Sequence, residues 1–274
     1  AGKTVAMANS VYIAGSGELD NGMTVSMSFE LDNGVDTGTG TGPFDNHSTT
    51  ISSDSMGSLT VHGHGGSNAA AALDTTAAGD LWDNTLGLSL ANDPATAQSG
   101  DGLVVYTLPT LAEGVAISGS YASAGENNEG STALGLTYTG VEGLSVSLGK
   151  GDDNSTVAVD IEQTVMKVSY AYGPITVGYS NSDYDHTTAA SDQETTSYNL
   201  SYTVSDAISI SYGEETIDKS GTTADIEVSG VNASYTSGGM TLSVKSVSAD
   251  NIDYSSTTAN NDNEMFKLAA SFAF

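Results

Sequence analysis

Apolar and polar residues alternate with a period of two along most of this chain. In residues 23–31, Met23, Val25, Met27, Phe29 and Leu31 share one face, and Thr24, Ser26, Ser28 and Glu30 share the other. The same rhythm sets Leu144, Val146 and Leu148 against Ser145 and Ser147, and Ile175, Val177 and Tyr179 against Thr176, Gly178 and Ser180. It sets Tyr198, Leu200, Tyr202 and Val204 against Ser197, Asn199, Ser201 and Thr203, and Met240, Leu242 and Val244 against Thr241, Ser243 and Lys245. At residues 266–274 the apolar positions are Phe266, Leu268, Ala270, Phe272 and Phe274. A period of two is that of an extended strand with one apolar face.

The alternating segments come in pairs joined by short turns. These are Asp20-Asn21-Gly22, Ser55-Met56-Gly57, Gly140-Val141-Glu142-Gly143, Gly173-Pro174, Ser205-Asp206 and Ser237-Gly238-Gly239. Gly and Asn there supply the positive φ of tight hairpins. Polar stretches at 32–46, 123–130, 151–162, 181–194, 214–225 and 249–263 read as longer loops. The pattern predicts strands near 9–19, 23–32, 47–54, 58–64, 101–108, 114–122, 131–139, 143–150, 163–172, 175–182, 195–204, 207–214, 225–236, 240–249 and 263–274. Short turns at one end and long loops at the other are the layout of a membrane-spanning antiparallel barrel.

A two-layer sandwich would also alternate. Against it, the polar faces are Ser, Thr and Gly with few charges, and Tyr138, Tyr170, Tyr172, Tyr202 and Tyr212 lie near the ends of the apolar faces, where an aromatic girdle would sit. A terminal strand ending Phe272-Ala273-Phe274 needs lipid or a partner to cover it. No run approaches the ~18 apolar residues of a spanning helix, so strands are the one route across a bilayer. The chain has no Cys, so it has no disulfide or thiol chemistry, as suits an exported protein. It opens Ala1-Gly2-Lys3-Thr4 without an apolar leader, which reads as a processed form if the protein is exported.

Charge narrows the function classes. Six lysines and no arginine face 34 acids, for a net charge of −28. Such a surface repels nucleic-acid phosphates and attracts cations. The acidic loops at Asp152-Asp153-Asn154, Asp183-Tyr184-Asp185 and Asp250-Asn251-Ile252-Asp253 could hold Ca²⁺, although none has the EF-hand spacing and solvated charge is the better account of them. His62 and His64 face one side of an extended segment, but two ligands make no specific metal site. No Gly-x-Ser-x-Gly elbow is present, and no catalytic residue or cofactor is implied. On strand phase, Glu18, Glu30, Lys167, Lys245 and Lys267 fall on polar faces. Residues 64–100 are the longest stretch without alternation; they hold the single Trp, and 68–74 and 77–83 have helix-forming composition.

Residues 11–30, running from Val11-Tyr12-Ile13 through Asp20-Asn21-Gly22 to Ser28-Phe29-Glu30, resemble the early hairpin of the trimeric general-diffusion porins of Gram-negative outer membranes. Ser55-Met56-Gly57-Ser58-Leu59-Thr60-Val61 resembles the next periplasmic turn, and Phe266, Leu268, Phe272 and Phe274 resemble the membrane-facing C-terminal assembly signal. The resemblance implies an all-β, antiparallel transmembrane barrel of the 16-stranded type, formed by residues 1–274 as one domain. Fifteen strands are countable, so the first would be missing or short: either residues 2–8 are its remnant, or the chain lacks about 15 residues at its start. Residues 64–100 would be the third loop, folded inward as the constriction.

The resemblance further implies that acids on that loop, Asp74, Asp80 and Asp83, oppose basic wall residues, here Lys167, Lys245 and Lys267, with Glu18 and Glu30 lining the pore. The family's wall cluster is typically Arg-rich, which this chain cannot reproduce. The expected function is passive diffusion of small hydrophilic solutes and ions, weakly cation-selective, by a homotrimer in outer-membrane lipid. The rival reading is a secreted or surface-attached acidic β-protein, an adhesin or surface-layer component, which would need a polar exterior.

Overall fold

The computed structural model of the chain describes residues 10–32, 44–83, 102–123, 130–156, 159–187, 192–256 and 262–272. Among these described residues fifteen strands follow one another. They are β1 (Ser10–Glu18), β2 (Thr24–Asp32), β3 (Phe44–Ser53), β4 (Gly57–His64), β5 (Leu103–Thr107), β6 (Val115–Ala122), β7 (Ser131–Tyr138) and β8 (Leu144–Thr156). Then come β9 (Val159–Tyr172), β10 (Ile175–His186), β11 (Gln193–Ser205), β12 (Ile208–Lys219), β13 (Ile226–Ser237), β14 (Met240–Asp250) and β15 (Asn263–Phe272). They form one sheet in chain order, every neighbouring pair antiparallel. The expected remnant strand at 2–8 lies outside the described residues. No described helix is long and apolar enough to cross a membrane, which has no bearing on strands.

The short turns demand glycine where the backbone is both left-handed and crowded. Gly57 has φ +75°, and a Cβ there would lie 2.1 Å from the Thr107 carbonyl oxygen; Gly143 has φ +76°, and its Cβ would lie 2.2 Å from the Ala171 carbonyl oxygen. No other residue combines that φ with that clearance.

The predicted strands form, but β8 to β12 run further than expected. Residues 151–156, 159–162, 183–186 and 214–219 are strand, where polar loops were expected. The reason is that alternation persists in a polar alphabet. In β12, Gly213, Glu215 and Ile217 are buried while Glu214, Thr216 and Asp218 are exposed, so the ladder continues after the outward face has turned acidic. On these extensions the outward register sets Asp183 opposite Glu194, and Glu194 opposite Asp218.

The two faces differ in kind. The outward face carries large apolar side chains open to the surroundings: Leu134 is 67% exposed, Leu268 68% and Phe266 71%, with Phe272, Ile13, Val177, Leu200 and Ile210 also exposed. A water-facing surface would not present so continuous an apolar band, whereas a lipid-facing one must. Near the short-turn ends it carries Tyr106, Tyr170, Tyr172, Tyr202 and Tyr235, amphipathic rings at the level of an interface. The polar exterior required of a surface-layer protein is absent from this band. The opposite face is Ser, Thr, Gly and scattered acids, and residues 65–83 lie along it.

Candidate functional site

The site is a loop laid against the inner wall. Between β4 and β5 the chain turns inward and crosses one strand after another. The Ala69 amide donates to Ser120 Oγ on β6 at 2.9 Å, the Ala77 amide to Ser180 Oγ on β10 at 2.8 Å, and the Ala78 amide to Ser197 Oγ on β11 at 3.0 Å. Lys167 Nζ on β9 donates to the Thr75 carbonyl at 2.8 Å. The Leu81 and Trp82 amides donate to the two carboxylate oxygens of Glu215 on β12, at 2.9 and 2.8 Å.

These bonds explain why helix-forming composition yields only one short 3₁₀ turn, Ala71–Leu73. A loop amide that donates to the wall cannot donate to the carbonyl four residues back. Asn68 Oδ1 accepts the Ala70 and Ala71 amides at 2.9 and 2.8 Å and starts the turn. The Thr76 amide donates to Asp80 Oδ1 at 2.9 Å, and the Asp80 amide to Thr76 Oγ1 at 2.8 Å, closing a small ring around Gly79.

Close approach depends on missing side chains. A Cβ on Gly135 (β7) would sit 2.5 Å from the Ala69 carbonyl oxygen; on Gly149 (β8), 3.0 Å from Ala70 Cα; on Gly213 (β12), 2.5 Å from Ala78 Cβ; on Gly230 (β13), 3.0 Å from a Leu81 methyl. Beyond Gly230 the wall turns apolar. Leu81 is buried with inward-facing Ile217, Ile226, Val228, Val247 and Ala249, and the turn after β14 adds Ile252 and Tyr254 from the outer end. Trp82 packs on the edge of this cluster. The loop is thus held by hydrogen bonds in its middle and by hydrophobic burial at its far end.

The acids and lysines singled out from the sequence are brought together here. Asp74 lies in the field of Lys167 and Asp80, beside Gln163. Burial first, then the Asp80 charge, pushes its carboxyl up to about 7, against the pull of Lys167. Lys245 lies within electrostatic range of Asp80, Asp83, Glu215 and Lys267. Lys245 and Lys267 are register partners on β14 and β15. The lysines therefore stand on the wall the loop follows, beside the acids.

Glu18 and Glu30 face inward on β1 and β2, on the wall away from the loop; Glu30 is buried and accepts Asn46 Nδ2 at 2.9 Å. Phe266, Leu268 and Phe272 face outward; Phe274 and residues 84–100 lie outside the described residues. Among the described residues no three His, Asp or Glu side chains are grouped to hold a metal, which covers Asp183, Asp185, Asp250 and Asp253.

Sequence reasoning missed Glu215 and the three serines. Glu215 was assigned to a loop, although it keeps the polar phase of Ser209 and Ser211. The available signal was a glycine on the polar phase at Gly135, Gly149, Gly178, Gly213 and Gly230, strand after strand.

A sheet with a lipid-compatible exterior and a loop running along its interior is an arrangement shared with known proteins. A family model described as Gram-negative porin matches residues 1–274. The chain belongs to the Gram-negative porin family. Its fold is similar to a porin refined at 1.8 Å resolution, with a TM-score of 0.68 at 19% identity, covering 97% of this chain and 92% of that one. It is also similar to OmpT of Vibrio cholerae, TM-score 0.67 at 15% identity, covering 97% of this chain and 89% of that one. The anion-selective porin of Comamonas acidovorans gives a TM-score of 0.61 at 15% identity, covering 91% and 80%. No curated protein sequence matches. At these identities the likeness concerns the fold; the family makes this porin an outer-membrane channel protein rather than an enzyme.

Proposed function

We propose that this porin is a water-filled pore through which small hydrophilic solutes and ions diffuse passively, with a weak preference for cations, and that it works as a homotrimer in the outer membrane. The observation that carries this reading is the placement of charge. Lys167, Lys245 and Lys267 stand on the same wall as the loop acids Asp74, Asp80 and Asp83, so their charges are offset locally. Glu18 and Glu30, on the inward faces of β1 and β2, add to the negative charge of the lining. Selectivity in a passive pore follows lining charge and width. Residues 64–100 act as the constriction in a single 1–274 barrel, and those six charged side chains set its field. Phe266, Leu268, Phe272 and Phe274 serve as the lipid-facing signal for assembly. A similar fold carries anion selectivity in the Comamonas porin, so the fold does not decide the sign.

Planar-bilayer recording of the purified protein across a salt gradient tests the reading. Ohmic steps grouped in threes, with a reversal potential of cation-preferring sign, are expected. Folded, inserted protein without conductance would overturn the pore, a potential of opposite sign would overturn the selectivity, and single ungrouped steps would overturn the trimer.

A further inference from the structure

We propose that Glu215 is the positioning residue that docks segment 76–82 on the wall and thereby sets the width of the passage, an inference that rests on the pore reading above for its effect on transport but not for the docking itself. Glu215 is 1% exposed, on the inward phase of β12. Three donors from the loop converge on its carboxylate: the Leu81 amide and the Thr76 hydroxyl on Oε1, and the Trp82 amide on Oε2. The Thr76 hydroxyl is already an acceptor for the Asp80 amide, so its own hydrogen is the one directed to Glu215.

All three partners donate, and only a group without hydrogens satisfies them together. A carboxylate does so, and charge-assisted bonds of this kind are about twice as strong as neutral ones. An amide at this position would point its NH₂ at one of the donors. The charged groups around the carboxylate are Asp80 on the loop and Lys245 on β14, and the Leu81 side chain anchors the same segment in the apolar cluster. The neighbouring docking contacts are single bonds from Ala77 and Ala78 to serines, so Glu215 is where the segment is held by more than one bond.

Trp82 is the single tryptophan of the chain, and its own amide is one of the three donors, so its emission reports docking without any need for conduction. The experiment uses full-length protein refolded in detergent, with heat-modifiable gel mobility as the check on the barrel. Glu215→Ala and Glu215→Gln should red-shift Trp82 emission, raise its acrylamide quenching severalfold, and replace steady open-channel current with fluctuation between substates. Thr76→Val, altered on the loop alone, should move each readout the same way by less.

The chain has no cysteine, so a pair at Ala77 and Gly178 can pin the segment again. A Cβ on Gly178 lies 3.3 Å from Ala77 Cβ, near the ~3.8 Å mean of a disulfide. Ala77→Cys with Gly178→Cys in the Glu215→Ala background should restore quenching and quiet current when oxidised and lose both when reduced. A folded Glu215→Ala protein with unchanged quenching and current overturns the proposal. Should that variant fail the gel check, unchanged readouts in Thr76→Val overturn it instead. A wild-type protein that does not conduct would sink the pore reading while leaving the Trp82 result to decide the docking.

Discussion

The inner wall of β6 to β14 and that of β1 to β5 are built on the same alternation and do different work. Along β6 to β14 the inward positions are a bed for a loop: serines that accept its amides, glycines that admit its backbone, a buried glutamate, and an apolar patch at the far end. Along β1 to β5 the inward positions include Ser16, Ser26, Ser28, Thr50 and Thr60 with Glu18 and Glu30, and Thr50 and Thr60 bond each other across the ladder, at 2.8 Å. A polar phase is therefore not one surface. Removing side chains makes it a seat, whereas hydroxyls of ordinary size leave it to water.

The largest break in this contrast is expected from adding bulk to the seat. Gly213→Val puts a Cβ 2.5 Å from Ala78 Cβ. Overpacking of this kind costs about 1–3 kcal/mol, and the loop should lift, with altered Trp82 emission and reduced conductance. Ser28→Val on the other wall should leave both unchanged. Equal effects at the two sites, measured by fluorescence and single-channel current, would mean that the walls are equivalent.

A smaller effect is expected from charge. Lys245→Glu with Lys267→Glu should move the reversal potential further toward cations, because the loop acids lose their neighbours. Glu18→Gln with Glu30→Gln should move it the opposite way. A null result for the second pair would assign selectivity to the loop-bearing wall alone.

The smallest concerns pH. The Asp74 carboxyl, pushed up to about 7 by burial and by Asp80, loses its charge as the medium is acidified through that value. Cation preference should fall between pH 8 and 6, and Asp74→Asn should flatten that step. The stability linkage has a definite sign: the folded chain holds this proton more tightly than the unfolded one. Its stabilising contribution is complete below the ordinary value of 3.8 and is lost as pH rises through about 7. A step of the same size in Asp74→Asn would assign the titration to another group.

The contrast also explains what could be read in advance. Strand positions and facing were legible because Met23 to Leu31 and its counterparts state the period directly. The inward facing of the lysines was legible from phase, whereas the loop acids came from the family resemblance, since residues 64–100 have no period to read. Glu215 was not, because its partners are backbone amides 133 and 134 residues away, which leave no mark on the sequence around it. The helical composition of 68–74 and 77–83 misled for the same reason: propensity counts local bonds, and here Ser120, Ser180, Ser197 and Glu215 took the amides.

The strand extensions beyond the apolar band carry a consequence for habitat. Asp183, Glu194 and Asp218 sit side by side across three strands, and like charges directly opposite one another weaken a ladder. Counter-ions relieve that repulsion over a distance that shrinks from about 30 Å at 0.01 M salt to about 3 Å at 1 M. The rim of this molecule is thus firmest in brine and frays in fresh water, so the shape of its outer mouth is tuned by the salinity of the medium it faces.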